Sequence, residues 1–246
     1  RYAVGELIHF QEQLVMTILD SVLLLAHVVA GTVALLIFWV PVVVRKGGSV
    51  HRQSGRIYVY AMWVVICTAF LLSVINLIQG RVVIAAFLGF LTLLTGKPLW
   101  MGVAILANKR MVTPLYERTL MALNIANVVT GLGLIALGFT LPSKGAAILM
   151  YVFGFLGVVN IGELVAQLRS TPYAGQNWLH RHIEGMGTSG IAAHTAFLAF
   201  GANRFIGDLF ASYWAMLPWL APTVIGTILI RLAVRKYIKK SVTSTV

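Results

Sequence analysis

The segment Trp178–Arg204, WLHRHIEGMGTSGIAAHTAFLAFGANR, decides the fold class of this chain. From residue 183 to 202 it consists mainly of apolar and small residues, over the roughly 20 positions that a transmembrane helix needs. At about 100° per residue, one stripe of that helix carries His180, Glu184, Gly187, Ile191 and His194. Ionisable groups in so apolar a segment are costly, so this stripe is the first candidate for a functional site.

Six further apolar runs predict that the chain crosses a membrane seven times. They cover residues 14–44, 58–78, 82–107, 119–140, 145–167 and 209–232. A closed barrel is excluded, because barrel strands alternate in polarity over about 10 residues. We therefore expect an all-α polytopic membrane bundle of seven transmembrane helices, forming a single domain over residues 1–246. Residues 1–13 are expected at the membrane interface, and residues 233–246 as a basic cytoplasmic tail.

Composition supports a membrane protein and argues against a nucleic-acid partner. The chain is 59% hydrophobic and only 11% charged, whereas soluble domains are about 25% charged. Its formal net charge of +12 could suggest nucleic-acid binding. However, the basic residues lie mainly in short connections between apolar runs, where membrane topology explains them. The expected environment is therefore the lipid bilayer.

The distribution of basic residues predicts the orientation in the membrane. Fourteen Lys and Arg residues lie at 45–56, 109–118, 169–181 and 231–240, and four lie in the opposite set of connections. The positive-inside rule then puts the N-terminus outside and the C-terminus in the cytoplasm. The most basic connection, residues 45–56, carries Arg45, Lys46, Arg52 and Arg56.

The remaining polar side chains can be sorted by their expected depth in the membrane, counted from the cytoplasmic end of each span. Lys97 and Glu163 lie at similar depth in the inner half of the bundle, at about 1.5 Å per residue. They are a candidate intramembrane ion pair, serving either as a proton or ion relay or as a salt bridge that fixes helix register. At the cytoplasmic edge, we expect one shared cluster that contains His51, Arg52, His180, Arg181, His182 and Glu184.

The histidines suggest a haem b, because membrane cytochromes of the b type carry paired histidines about 14 residues apart on one helix. His180 and His194 have this spacing, with Gly187 midway where a porphyrin edge could pass. Val40 and Pro41 stand at the corresponding positions after His27 and cannot bind iron, which leaves one haem at most. Its ligands would be His27 with His194, or His51 with His180.

Two other interpretations of the histidines stay open. Intramembrane histidines also form hydrogen bonds to neighbouring helices without binding any cofactor. A zinc site would need three protein ligands and a water molecule. By number alone, such a site could be formed by His51, His180, His182 and Glu184, but their spacing is not specific.

Residues His27–Met62 together with His182–Gly201 resemble an uncharacterised family of bacterial multi-pass membrane proteins. The family pattern is a histidine and a glycine in the first span, then KGG, then HR-x-x-GR. The matching residues are His27, Gly31, Lys46, Gly47, Gly48, His51, Arg52, Gly55 and Arg56. The resemblance implies a bacterial inner-membrane location and no particular activity.

Three functions remain open from the sequence. The first is a non-catalytic integral membrane subunit or scaffold that packs against a larger respiratory or photosynthetic complex. The second is a redox protein that binds haem b or a quinone through its intramembrane histidines. The third is a zinc-dependent membrane hydrolase. The absence of nucleotide motifs from the sequence favours the first.

Overall fold

The computed structural model describes residues 2–169, 178–202 and 217–243, and every regular element in these ranges is a helix. The all-α class expected from the sequence is confirmed. The helices are α1 (Tyr2–Val43), α2 (Ser49–Ile78), α3 (Val82–Ala104), α4 (Pro114–Gly138), α5 (Lys144–Val158), α6 (Asn160–Arg169), α7 (Trp178–Ala196) and α8 (Leu217–Thr243). A π-helical stretch, Phe197–Ala202, directly continues α7.

Within the residues that the structure describes, six stretches are long and apolar enough to cross a membrane, which indicates a multi-pass membrane protein. They are Leu14–Val43, Ser49–Ile78, Val82–Ala104, Pro114–Gly138, Lys144–Arg169 and Leu217–Ile238. The fifth combines α5 and α6, which are interrupted only at Val159. The expected span at 183–202 lies in α7 and its π-helical continuation, which are not among the six. The first two turns of α7 carry four ionisable side chains: His180, Arg181, His182 and Glu184.

Two helix boundaries differ from the expectation. Helix α1 begins at Tyr2, so most of the segment expected at the interface continues the first transmembrane helix. Helix α2 begins at Ser49, so Arg52 and Arg56 lie in its first turns and not in a loop. At the beginning of both α1 and α2, the helix includes polar residues that precede its apolar run. Hydropathy marks the apolar part only, since backbone hydrogen bonds can continue through polar residues.

The chain divides into two compact units, Arg1–Thr92 and Leu93–Val246, with the boundary inside α3. In the first unit, α1 and α2 pack antiparallel across the short connection at residues 44–48. Ala34 of α1 is fully buried, and the rings of Phe38 and Tyr58 are 5.4 Å apart. Ser73 Oγ donates a hydrogen bond to the backbone oxygen of Ala85 at 2.7 Å, which joins α2 to the beginning of α3.

Glycines allow the closest helix contacts of the second unit. A Cβ atom on Gly131 of α4 would lie 2.6 Å from the backbone oxygen of Gly154 on α5. A Cβ atom on Gly185 of α7 would lie 2.6 Å from the backbone nitrogen of Gly102 on α3. The predicted role of small residues in helix packing therefore applies at these crossings. Gly133 and Gly162 have no atom within 4 Å of such a Cβ, so they do not contribute.

Replacing Gly131 by alanine is expected to destabilise the protein, whereas replacing Gly133 is not. The new methyl group at residue 131 would force α4 and α5 apart, at a cost of about 1–3 kcal/mol. Gly133→Ala fills open space and improves helix propensity by up to about 1 kcal/mol. The free energy of unfolding in detergent micelles checks both variants. Equal stability of the two would contradict the proposed α4–α5 contact.

Candidate functional site

The short helix α6 carries three polar residues on one face. Asn160, Glu163 and Gln167 are spaced by three and four residues, so they follow one another along the same side of the helix. In an apolar bundle, such side chains need polar partners from neighbouring helices. The partners come from α3, α4 and α7, all within the second unit.

Lys97 of α3 binds the first two of these residues. Its Nζ atom lies 2.6 Å from Glu163 Oε2 and donates a hydrogen bond to Asn160 Oδ1. Lys97 is 8% exposed, so its charge is removed from solvent and needs a compensating acid. The structure therefore brings together the two residues that the sequence marked as a candidate ion pair.

Arg181 of α7 contacts the same carboxylate. Its Nη1 atom lies 3.7 Å from Glu163 Oε1 and 3.8 Å from the sulfur atom of Met101. Arg181 is 6% exposed, although the sequence analysis placed it at the cytoplasmic edge beside Glu184. Each oxygen of Glu163 thus serves a different cation, and the three charges sum to +1.

Asn124 of α4 completes the network through Gln167. Its Nδ2 atom donates a hydrogen bond of 2.8 Å to Gln167 Oε1. Asn124 and Asn127 are fully buried, and the side-chain oxygen of each has no hydrogen-bond partner in the described part of the chain. The polar network consequently links four helices through side chains that the bilayer cannot solvate.

This arrangement favours a structural role for the charges. Both oxygens of Glu163 are already engaged by cations, so a proton relay would first have to break one of these contacts. A carboxylate shared by two buried cations instead holds three helices at fixed depth and rotation. Because α3, α6 and α7 come from separate parts of the sequence, the network is a long-range constraint on the second unit.

The histidines of the first unit bind separate backbone groups. His27 Nδ1 lies 3.1 Å from the backbone oxygen of Val65 and 3.0 Å from Thr68 Oγ1, both on α2. His51 Nδ1 donates to the backbone oxygen of Pro41 at 3.1 Å. The first interaction joins the middle of α1 to α2, and the second lies where α1 ends. The two rings therefore contact different groups and do not converge on one ligand position.

The basic motif that follows α1 forms a capping turn. Lys46 Nζ donates to the backbone oxygens of Pro41, at 2.7 Å, and of Val42, and Arg52 Nη1 donates to the backbone oxygen of Gly47 at 3.0 Å. Gly47 has a φ of +76°, which a residue with a Cβ rarely adopts. The pattern KGG-x-x-HR thus satisfies carbonyl groups that the last turn of α1 leaves without helical partners.

The histidines of the second unit are also bound individually. His182 Nδ1 donates to the backbone oxygen of Gly102 at 2.7 Å, and His194 Nδ1 donates to the backbone oxygen of Gly190, also at 2.7 Å. His180 Nε2 lies 4.0 Å from Glu184 Oε2, with both side chains about half exposed. The space beside Gly187, expected to pass a porphyrin edge, is instead occupied by Ile230 of α8.

No group of three or more His, Cys, Asp or Glu residues that could hold a metal ion occurs within residues 2–169, 178–202 and 217–243. The zinc alternative therefore gains no support from the arrangement of these side chains. The expected cluster of His51 and Arg52 with His180, Arg181 and Glu184 involves both units, as does the pairing of His27 with His194. Both stay predictions.

Sequence reasoning missed Gln167 and the contact of Arg181 with Glu163. Gln167 could have been found, because it lies four residues after Glu163 on the same helical face. The contact of Arg181 depends on how α7 is rotated against α6, and a depth estimate does not contain that information.

Comparison with known proteins adds no relative. No protein-family model, no curated protein and no solved structure matches the chain. The resemblance based on the KGG and HR-x-x-GR motifs therefore stays an expectation.

Loss of the shared carboxylate is expected to cost more stability than loss of one cation. Glu163→Gln leaves both Lys97 and Arg181 without their acid. Because Glu163 is only partly exposed, we expect the free energy of unfolding to fall by about 3 kcal/mol. Lys97→Met should cost less, because Glu163 keeps Arg181. Glu184→Gln is the control, as an exposed acid whose loss costs at most about 1 kcal/mol.

Unfolding of the three variants by titration with denaturing detergent provides the measurement. The expected order of destabilisation is Glu163→Gln, then Lys97→Met, then Glu184→Gln. A Lys97→Met variant as unstable as Glu163→Gln would show that the carboxylate is not shared.

Proposed function

We propose that the protein is a non-catalytic integral membrane subunit that packs against a larger respiratory or photosynthetic complex in the bacterial cytoplasmic membrane. One observation carries this proposal: the ionisable groups best suited to chemistry are held by partners within the chain itself. Lys97 and Arg181 bind Glu163, while His27, His51, His182 and His194 each bind a backbone carbonyl group. Groups fixed in this way stabilise helix packing.

The length of α1 supports a role in assembly. The helix has 42 residues and is therefore about 63 Å long, roughly twice the thickness of the hydrocarbon core. In the sequence, its apolar run begins only at Leu14, so the preceding helical turns extend beyond that run. Only 11% of this apolar stretch is buried within the chain. A long and uncovered helix of this kind offers both a membrane face and a projecting end to a neighbouring subunit.

We further propose that α7 is the seventh span, with the N-terminus outside and the C-terminus in the cytoplasm. Helix α7 runs antiparallel to α8: Gly187 meets Ile230, and further along α7 Ile191 meets Gly226. At the far end of the pair, the rings of Phe200 and Trp219 are 5.1 Å apart. Since α8 is a membrane span by length and composition, this pairing supports a similar path for α7.

The low hydropathy of α7 agrees with an inward polar face. Its buried residues include Arg181, Gly185, Ser189 and Gly190, which pack inside the second unit. A helix whose polar groups face protein can cross a bilayer without exposing them to lipid.

Labelling of introduced cysteines is expected to report opposite sides for Ser49 and Ser143. The background is Cys67→Ser, which removes the only native cysteine. Ser49→Cys should react only after the membrane is opened, and Ser143→Cys should react in intact cells. A reporter fused to the C-terminus should be cytoplasmic, because seven spans reverse the side of the N-terminus. A C-terminus outside would rule out α7 as a span.

Haem b binding is the second candidate, and the position of His51 favours it. His51 binds the carbonyl of Pro41, which lies 14 residues after His27 on α1. His27 and His51 are thus separated by about 21 Å along the helix axis. His180 and His194 of the second unit have the same 14-residue spacing on α7.

The hydrogen bonds of these rings are also compatible with iron ligation. A carbonyl group bound at Nδ1 fixes the proton there and makes Nε2 the unprotonated nitrogen of a neutral ring. Metal-bound histidines commonly donate their other N–H group in this way. His27, His51 and His194 all have a carbonyl oxygen at Nδ1.

Purification from native membranes in mild detergent decides between the two candidates. The subunit proposal predicts a stoichiometric complex larger than the 26.8 kDa chain on native electrophoresis, with no Soret band assignable to the chain itself. The haem candidate predicts a Soret band that follows the isolated chain and is lost in His27→Ala or His194→Ala. A colourless protein that migrates as a single chain would contradict both.

A further inference from the structure

The antiparallel pair α7 and α8 encloses an open cleft of about 400 Å³. This volume lies in the range of about 300–1,000 Å³ that is typical of small-molecule sites. The wall from α7 consists of His180, Glu184 and Thr188, which follow one another at four-residue intervals. The α8 wall has polar and apolar residues on one helical face: Thr227, Ile230, Arg231, Val234 and Arg235.

Close contacts between α7 and α8 close one end of the cleft. The side chain of Ile230 fills the place of a missing Cβ at Gly187, and that of Ile191 does the same at Gly226. These two contacts hold α7 and α8 close together over the middle of the pair. Beyond Gly187, toward the beginning of α7, His180 and Glu184 line the cleft.

The cleft carries an excess of positive charge. Arg231 and Arg235 are one turn apart, and neither guanidinium has a hydrogen bond or ion pair within the part of the chain whose side chains the structure describes. The one carboxylate in the lining, that of Glu184, lies 4.0 Å from His180 Nε2. Thr188 and Thr227 add two hydroxyl groups that can donate to an anion. Both arginines line the cleft, and their N–H groups can donate to an anion bound there.

The cleft lies near the membrane surface, where it can take its ligand from the lipid. In the sequence, the apolar run that contains this part of α8 ends at residue 232, so Arg231 and Arg235 lie in the turns where the apolar run gives way to the aqueous phase. Ile225, Ile228, Leu229 and Leu232 of the same helix are exposed, as expected for side chains in contact with lipid chains. Ile230 and Val234 continue this apolar surface into the cleft itself. A ligand with a phosphate group and an acyl chain matches both parts.

We propose that this cleft binds the phosphate headgroup of an anionic phospholipid, with Arg231 and Arg235 as the phosphate ligands. The hydroxyls of Thr188 and Thr227 supply further donors, and Ile230 and Val234 contact the first part of the acyl chain. A basic pocket between transmembrane helices near the membrane surface is a recurrent way of binding such headgroups. The site is independent of the subunit function proposed above and of the orientation of the protein in the membrane.

Lipid binding to the delipidated full-length protein tests the site. Phosphatidylglycerol, phosphatidylcholine and inorganic phosphate are added separately, and bound ligand is measured by native mass spectrometry. The wild-type protein should retain phosphatidylglycerol in preference to phosphatidylcholine, and millimolar inorganic phosphate should not displace it. Arg231→Gln and Arg235→Gln should each weaken phosphatidylglycerol binding about fivefold, and the double variant more.

Lys236→Gln is the matched control, because it removes the same charge from the residue next to Arg235. Lys236 does not line the cleft, and its Nζ atom lies 5.6 Å from the ring of Tyr237. Its loss should leave phosphatidylglycerol binding almost unchanged. An equal loss for Lys236→Gln and Arg235→Gln would mean diffuse surface attraction and would overturn the site. Equal binding of the two lipids would overturn it as well, and displacement by inorganic phosphate would assign the cleft to a soluble anion.

Crosslinking of the wild-type protein gives a second measurement that does not depend on variants. A photoactivatable phosphatidylglycerol should label peptides from α7 and α8 around Thr188 and Thr227. Labelling confined to other helices would overturn the proposal.

Discussion

The second unit depends on a single carboxylate that pairs with two buried cations. Glu163 accepts Lys97 from α3 on one oxygen and Arg181 from α7 on the other. In an apolar bundle, none of these charges can be left without its partner at a tolerable cost. The rotation and depth of α3, α6 and α7 are consequently coupled. Gln167, one turn further along α6, extends this coupling to Asn124 of α4.

Close backbone contacts at glycine residues accompany this polar network. Gly102 against Gly185 brings α3 and α7 together one turn from Arg181, and Gly131 against Gly154 joins α4 to α5. Apolar side chains alone give little preference for one helix neighbour in a bilayer, because lipid chains are equally apolar. Small residues allow the dense packing that lipid cannot supply, and the ionic network selects which helices meet.

The histidine and basic motifs of the first unit have a comparable structural explanation. Lys46, His51 and Arg52 satisfy backbone carbonyl groups around the end of α1, where the helix leaves them without partners. A positive φ at Gly47 allows the chain to turn directly into α2. The density of basic residues that suggested a charged cytoplasmic loop is therefore in part the chemistry of one tight helical connection. The same contacts hold His51 beside Pro41, which lies 14 residues after His27 on α1. This spacing is compatible with the haem candidate.

The sequence alone determined the membrane environment, the all-helical class and the positions of six apolar spans, because the transfer of each residue into lipid depends on local composition. It also marked Lys97 and Glu163 as candidate partners, since few charges lie at that depth. Only the tertiary structure decided that Arg181 shares the carboxylate, that Gly187 faces Ile230, and that Arg231 and Arg235 line a cleft. These features depend on the rotation of each helix about its axis and on the choice of neighbour. Both are set by packing between distant segments, which hydropathy and spacing along one helix do not encode.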